Sequence, residues 1–151
     1  VDEAKEVTVA RYVFPVLLAA DDNDTVLVTA PDLPGFVTYG DSEAEALRKA
    51  QGALAQLIDA YMRTGKPIPE GSPARGRLTI AMPTLMTLKA ALYMAMRESK
   101  MSKSELARRL GVDVRQVRRM LDPLVSSRVE ELDRALALLG KRFEVTIRDA
   151  A

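Results

Sequence analysis

The sequence predicts an α+β protein in two parts: a βββαβ N-terminal module, then an all-helical module that closes on a short strand. Three observations carry this reading. Apolar residues alternate with period two at Tyr12, Phe14, Val16 and Leu18 and again over Thr25–Ala30, as on strands with one buried face. From Ser42 onward the period becomes helical, and after Pro83 it stays helical almost to the end. The charge also divides. Residues 1–77 hold 8 Lys and Arg against 12 Asp and Glu, whereas residues 78–151 hold 14 against 9. An acidic half joined to a basic half reads as two modules with two partners. The expected division is 1–83 and 84–151, and any cut from Pro83 to Leu85 is expected to separate the modules.

In the first strand Pro15 lacks an N–H, which favours an edge position or a bulge. Asp21-Asp22-Asn23-Asp24 is a turn, because Asx side chains bond locally and tolerate unusual φ. The second strand, Thr25–Ala30, then completes a hairpin. Pro31-Asp32-Leu33-Pro34-Gly35 is a rigid connection, and Phe36–Tyr39 is a short third strand ended by Gly40. Ser42-Glu43-Ala44-Glu45 is a capping box. The helix it opens carries Leu47, Ala50, Leu54, Leu57, Ile58 and Tyr61 on one stripe and stops at Gly65. A Pro- and Gly-rich loop, Pro67–Arg77, leads to a further strand at Leu78–Met82.

Pro83-Thr84 opens a helix with the stripe Leu85, Leu88, Leu92 and Met96. Ser102-Lys103-Ser104-Glu105 is a second capping box and Ser127-Arg128-Val129-Glu130 a third. Between them Asp113 caps a helix that ends before Pro123. The last helix carries Leu132, Leu136 and Leu139 and stops at Gly140. Arg142–Arg148 then alternates, with Phe143, Val145 and Ile147 on one side. A lone strand needs a partner, so these three residues are the candidate dimerisation seam.

Lys103–Leu121 has the spacing of a helix-turn-helix. Leu106, Ala107 and Leu110 face inward on its first helix, and Gly111 permits the turn. Val112, Val117 and Met120 complete the shared core. The second helix exposes Arg115, Gln116, Arg118 and Arg119. Arg pairs bidentately with guanine and Gln with adenine in the major groove. Residues 97–128 hold 9 basic and 4 acidic side chains. Lys103, Ser127 and Arg128, at helix starts, complete the candidate DNA contacts, since helix N-termini present N–H groups to phosphates. Such units act as two-fold dimers on palindromic sites, so a homodimer or higher even oligomer is expected.

The chain has no Cys, no His and no Trp. Disulfides, thiolate zinc sites, imidazole ligands and histidine acid–base pairs are therefore excluded. No apolar run is long enough to span a membrane, and the expectation is a cytoplasmic protein without metal or cofactor.

The segment Pro31-Asp32-Leu33-Pro34-Gly35-Phe36, followed by Thr38-Tyr39-Gly40-Asp41-Ser42 and by a helix with Glu45-Ala46-Leu47 and Ala50, resembles the HicB family of antitoxins. The resemblance runs from about Tyr12 onward. It implies that the first module is a partial ribonuclease H-like fold. It also implies a type II antitoxin that masks a small HicA-type mRNA-cleaving toxin and represses its own operon through the second module. A metal-dependent nuclease is the rival that the fold raises. A ribonuclease H site takes one acid from its first strand, and Tyr12–Ala19 has none. A stand-alone regulator with a ligand-sensing N-terminal module is the other alternative.

For the toxin, the candidate contacts are Asp32, Leu33, Pro34, Gly35 and Phe36, because rigidly held loops tend to carry function. Leu33 and Phe36 serve as apolar anchors on condition that they are exposed. Asp21, Asp22, Asp24 and Asp32 are expected to meet the basic surface of an RNA-cleaving partner.

Overall fold

The computed structural model describes residues 12–147 and 149. Among these the order is β1 (Val13–Pro15), β2 (Leu17–Ala20), β3 (Val26–Thr29), β4 (Val37–Gly40), α1 (Glu43–Arg63), β5 (Thr79–Ala81), α2 (Thr84–Ser99), α3 (Lys103–Leu110), α4 (Val114–Leu121) and α5 (Val129–Leu138). The class is α+β, with two antiparallel sheets, β1-β5 and β2-β3-β4.

The expected first strand is divided. Its alternation holds, with Tyr12, Phe14 and Val16 buried, but the chain changes partner at Val16. Phe14 pairs with Ile80 of β5, whereas Leu17–Ala20 pairs with β3. Val16 N–H still donates to Leu78 O at 2.9 Å. Pro15, opposite Thr79, sits beside this handover, where its missing donor is tolerated.

In the three-stranded sheet, Leu18, Val28 and Thr38 share one face and Leu17, Thr29 and Val37 the other. Val28 and Gly40 mark the buried face. The hairpin between β2 and β3 closes through Asp21 N–H donating to Thr25 O, and Asp24 takes a positive φ of 58°. Gly40 has a steric reason of its own. A Cβ there would lie 2.5 Å from the Ala46 backbone nitrogen, so the sheet meets α1 through a position that only glycine fills.

α1 begins as expected, with Glu45 N–H donating to Ser42 Oγ at 3.1 Å. The Glu45 carboxylate reaches back one residue further than in the standard box, accepting from Asp41 N–H at 2.9 Å. That bond, and then Lys49, hold the Glu45 carboxyl below its ordinary range. The buried stripe runs through Ala46, Ala50, Leu54 and Ile58, while Leu47, Leu57 and Tyr61 are half-buried flanks. Four-residue steps through small Ala46 and Ala50 let the helix lie close to the sheet.

The chain forms two compact units. Among the described residues, one holds 12–60 together with Ile68–Met82; the other holds Tyr61–Pro67 together with 83–147 and 149. The last turn of α1 thus belongs with the helical unit. Tyr93 Oη donates to Lys66 O at 2.8 Å, and the Arg97 guanidinium donates to Gly65 O. A cut at Pro83 would leave residues 61–67 without these partners.

The core of the helical unit is built from Leu88, Leu92 and Met96 of α2, Leu106 and Ala107 of α3, Val117, Met120 and Leu121 of α4, and Leu132, Ala135 and Leu136 of α5. Ser102 and Asp113 cap α3 and α4 through Glu105 N–H at 3.1 Å and Arg115 N–H at 2.8 Å. Gly111, at φ 70°, turns the chain between them. The third capping box does not form. Arg128 is the N-cap of α5 and no side chain caps it, because a guanidinium has no acceptor to offer and Ser127 stands one residue too early. Residues 141–147 form neither helix nor ladder within the chain, and Arg148 lies outside the described residues.

Candidate functional site

The basic surface of the helical unit is set by α3 and α4. On α4, Val117, Met120 and Leu121 are buried, so the opposite side of the helix presents Arg115, Arg118 and Arg119 to solvent. Arg115 is held loosely, its Nε donating to Asp113 Oδ1 at 3.3 Å. The Arg115 N–H cap, followed by its guanidinium, lowers the Asp113 carboxyl below its usual range. Lys103 and Arg128 are exposed at the starts of α3 and α5. Two other expected contacts are committed or withdrawn. Gln116 is half-buried and donates from Nε2 to Glu131 Oε1 at 2.8 Å, so it ties α4 to α5. Ser127 is half-buried and caps nothing.

On α3 a single carboxylate holds two guanidiniums. Glu105 accepts from Arg108 Nη2 at 2.7 Å and Nε at 2.9 Å, and from Arg109 Nε at 2.8 Å. The Arg108 fork, then Arg109, lower the Glu105 carboxyl to about 2. Arg108 is correspondingly raised by Glu105. Both arginines remain exposed on α3, and the one carboxylate offsets one of their two charges.

Lys89 is the residue that sequence reasoning missed. It lies on the apolar stripe of α2, four residues after Leu85 and three before Leu92, and it is fully buried. Its Nζ donates to Arg119 O at 2.8 Å, Asp122 O at 2.7 Å and Val125 O at 2.6 Å. Those carbonyls belong to the last turn of α4 and to the connection toward α5. An α-helix leaves its final carbonyls without intrahelical donors, and its C-terminus favours a cation. A buried ammonium with three carbonyl acceptors answers both needs, while desolvation pushes its pKa down. The available signal was a lone Lys in the apolar run Leu88-Lys89-Ala90-Ala91-Leu92. The sequence held no hint of its acceptors, which are backbone atoms some thirty residues away.

The expected toxin loop is corrected at its apolar anchors. Leu33 is 1% and Phe36 8% exposed, so neither meets the exposure condition. Two turns drive them inward: Leu33 N–H donates to Ala30 O and Phe36 N–H to Leu33 O, each at 3.0 Å. Asp32 is also engaged, its Oδ2 accepting from Ser72 N–H and Ser72 Oγ at 2.8 Å each. This pins the Pro67–Arg77 loop. Pro34 and Gly35 remain exposed, as do Asp21, Asp22 and Asp24. The seam residues also separate. Phe143 packs on the helical core, while Val145 and Ile147 are exposed. No group of three or more His, Cys, Asp or Glu side chains able to hold a metal ion occurs among the described residues. No helix among them is long and apolar enough to cross a membrane.

Residues 13–91 match the family described as HicB_like antitoxin of bacterial toxin-antitoxin system. The chain is 33% identical over 132 residues to an antitoxin HicB of Pseudomonas fluorescens, covering 86% of this chain and 90% of that one. It is 32% identical over 132 residues to antitoxin HicB 2 of Photorhabdus laumondii, covering 87% and 94%. The crystal structure of the Burkholderia pseudomallei antitoxin HicB superposes with a TM-score of 0.41 at 15% identity, over 66% of this chain and 95% of that one.

Proposed function

Because the chain belongs to the HicB-like antitoxin family of bacterial toxin–antitoxin systems, we propose that it works in the cytoplasm by binding alone. It neutralises a HicA-type mRNA-cleaving toxin through its first unit and represses its own operon through its second. The observation that carries the second role is the face of α4. Arg115, Arg118 and Arg119 stand exposed on a helix whose other side is locked by Val117, Met120 and Leu121. In this reading α3 and α4 are a helix-turn-helix with α4 in the major groove, where Arg reads guanine. Lys103 and Arg128 hold the backbone phosphates. Gln116 is spent on Glu131 and reads no base.

The first unit, a partial ribonuclease H-like fold in this reading, supplies the toxin contact and no catalysis. Exposed Val145 and Ile147 would pair with a second copy, giving a two-fold assembly on a palindromic operator. Co-expression with the adjacent reading frame tests the proposal. A stable complex, relief of growth arrest and a shifted operator fragment are the expected results. A protein that binds operator DNA yet has no toxin partner would instead be a stand-alone regulator.

A further inference from the structure

Residues 97–128 hold four acidic side chains in an otherwise basic stretch. Two of them serve the backbone. Asp113 caps α4 by accepting from Arg115 N–H at 2.8 Å, and Asp122 accepts from Leu124 N–H at 3.0 Å in the turn after α4. A third, Glu98, is turned toward Lys141, outside the stretch, at 3.3 Å. Glu105 is different. Its backbone N–H serves the Ser102 cap, but its carboxylate does not complete a capping box. It points forward along α3 instead, to Arg108 and Arg109, and accepts from no other group among the described residues.

Leu106 and Ala107 are buried and Leu110 is half-buried, so the solvent side of α3 is formed by Ser104, Glu105, Arg108 and Arg109. The carboxylate lies between two guanidiniums whose side chains are 71% and 47% exposed. With its carboxyl held at about 2, Glu105 keeps its charge at neutral pH. Exposed pairs at this spacing add little to stability, so helix formation is a weak reason for a carboxylate here. Contact with DNA supplies a stronger one. The first helix of a helix-turn-helix crosses the DNA backbone. Two unmasked arginines on that helix would hold any duplex, since phosphate contacts carry no sequence information. A protein discriminates as well by weakening the wrong complex as by strengthening the right one.

We propose that Glu105 is a specificity-determining residue of the helical unit: it masks Arg108 and Arg109 from phosphates, so that tight binding requires the base contacts of Arg115, Arg118 and Arg119. The proposal rests on the DNA-binding part of the function proposed above. On random DNA the protein is free to settle wherever the α3 arginines meet phosphates, and Glu105 opposes each such register. On the operator α4 fixes the register, so Glu105 costs less there.

The test uses the full chain and two duplexes of equal length, one from the DNA upstream of its own reading frame and one of random sequence. Glu105→Gln keeps the size of the side chain and leaves the Ser102 cap, which uses the backbone N–H, in place. Its affinity for random DNA should rise roughly 8-fold at ~0.1 M salt, the counterion contribution of one added phosphate contact, and merge with wild type toward ~1 M. The slope of log affinity against log salt should steepen by about 0.9. Affinity for the upstream duplex should rise by no more than about 2-fold, so the ratio of the two affinities falls about 4-fold. Adding Arg108→Gln to Glu105→Gln returns α3 to its original net charge and should restore the wild-type slope on random DNA. Circular dichroism checks that both variants are folded where binding is measured.

Random-DNA affinity within about 2-fold of wild type at every salt concentration overturns the proposal and leaves Glu105 as a helix-stabilising pair. Equal gains on both duplexes overturn it as well, because the carboxylate then sets affinity without discrimination. Weaker binding of the upstream duplex by Glu105→Gln also overturns it, since Glu105 would then hold the arginines in place for that duplex. In these three cases a wild-type preference for the upstream duplex keeps the DNA-binding reading. A wild-type chain that binds both duplexes alike, or neither, removes that reading and the proposal with it.

Discussion

Replacing Lys89 with Met removes the ammonium and keeps a flexible side chain of similar length, so the perturbation is chemical more than steric. Three carbonyls, those of Arg119, Asp122 and Val125, lose a charged donor at 2.6–2.8 Å. A buried acceptor left without a partner costs about 1–3 kcal/mol. Part of that is returned, since the ammonium's own desolvation, which pushes its pKa down, disappears with the charge. Arg119 O and Asp122 O also retain backbone donors, Asp122 N–H at 3.2 Å and Val125 N–H at 3.2 Å. Val125 O is the acceptor most exposed to the loss. Weighing these terms, with one orphaned acceptor and part of its cost returned, the variant should lose about 1–2 kcal/mol of stability in the helical unit. For a unit of this size that lowers the midpoint of thermal unfolding by roughly 4–16 °C. Circular dichroism melting of the full chain, with operator binding measured well below the variant's midpoint, checks both parts. Operator affinity should fall by about 10-fold or more even where the variant is folded, because the end of α4 is no longer fixed. A midpoint within about 2 °C of wild type, with normal operator affinity, would refute the view that this lysine anchors α4.

Other consequences follow from single contacts. Gly40→Ala forces a Cβ to 2.5 Å from the Ala46 nitrogen, so urea unfolding should show a loss of about 1–3 kcal/mol, as for an overpacked site; an unchanged midpoint would mean that the sheet and α1 are not held at that distance. The Glu105 carboxyl, held at about 2 by Arg108 and Arg109, should titrate by NMR well below the ordinary 4.5. Because its folded value is depressed, its stabilising contribution is complete above 4.5 and is lost as pH falls through about 2; a midpoint near 4.5 would show that the paired arginines are free. Val145→Lys together with Ile147→Lys should halve the oligomeric state in sedimentation and weaken operator binding, and an unchanged assembly would place the seam elsewhere.

Much of the fold was legible because it rests on local chemistry. Ser42, Ser102 and Asp113 cap helices where a short polar side chain precedes an apolar period, and each accepts the expected N–H. Gly111 and the Asx turn at 21–24 were readable for the same reason, since φ preferences belong to single residues. What depended on distant partners was not. The alternation from Tyr12 to Leu18 cannot reveal that the chain leaves β5 for β3 at Val16, since both ladders use the same period. Leu33 and Phe36 sit in a Pro-rich connection whose composition leaves their exposure open, and two turns and the Asp32–Ser72 bonds turn them inward. Ser127 carries the sequence pattern of a cap. The start of α5 lies one residue later, where Glu131 meets Gln116 and Leu132 is buried. At the candidate sites, Arg115, Arg118 and Arg119 were readable from helical period alone. Lys89 needed a partner thirty residues away.

Separation of the two roles is the central claim, and one paired measurement on a single variant tests it most directly. The full chain carrying Arg115→Ala and Arg119→Ala changes two exposed side chains of α4 and nothing in the first unit. Each lost base contact should cost about 1–3 kcal/mol of operator affinity, and more on the operator than on random DNA. Cells that express this variant with the toxin should therefore grow normally while the operon is derepressed. Growth arrest in those cells, or repression at the wild-type level, would contradict the account.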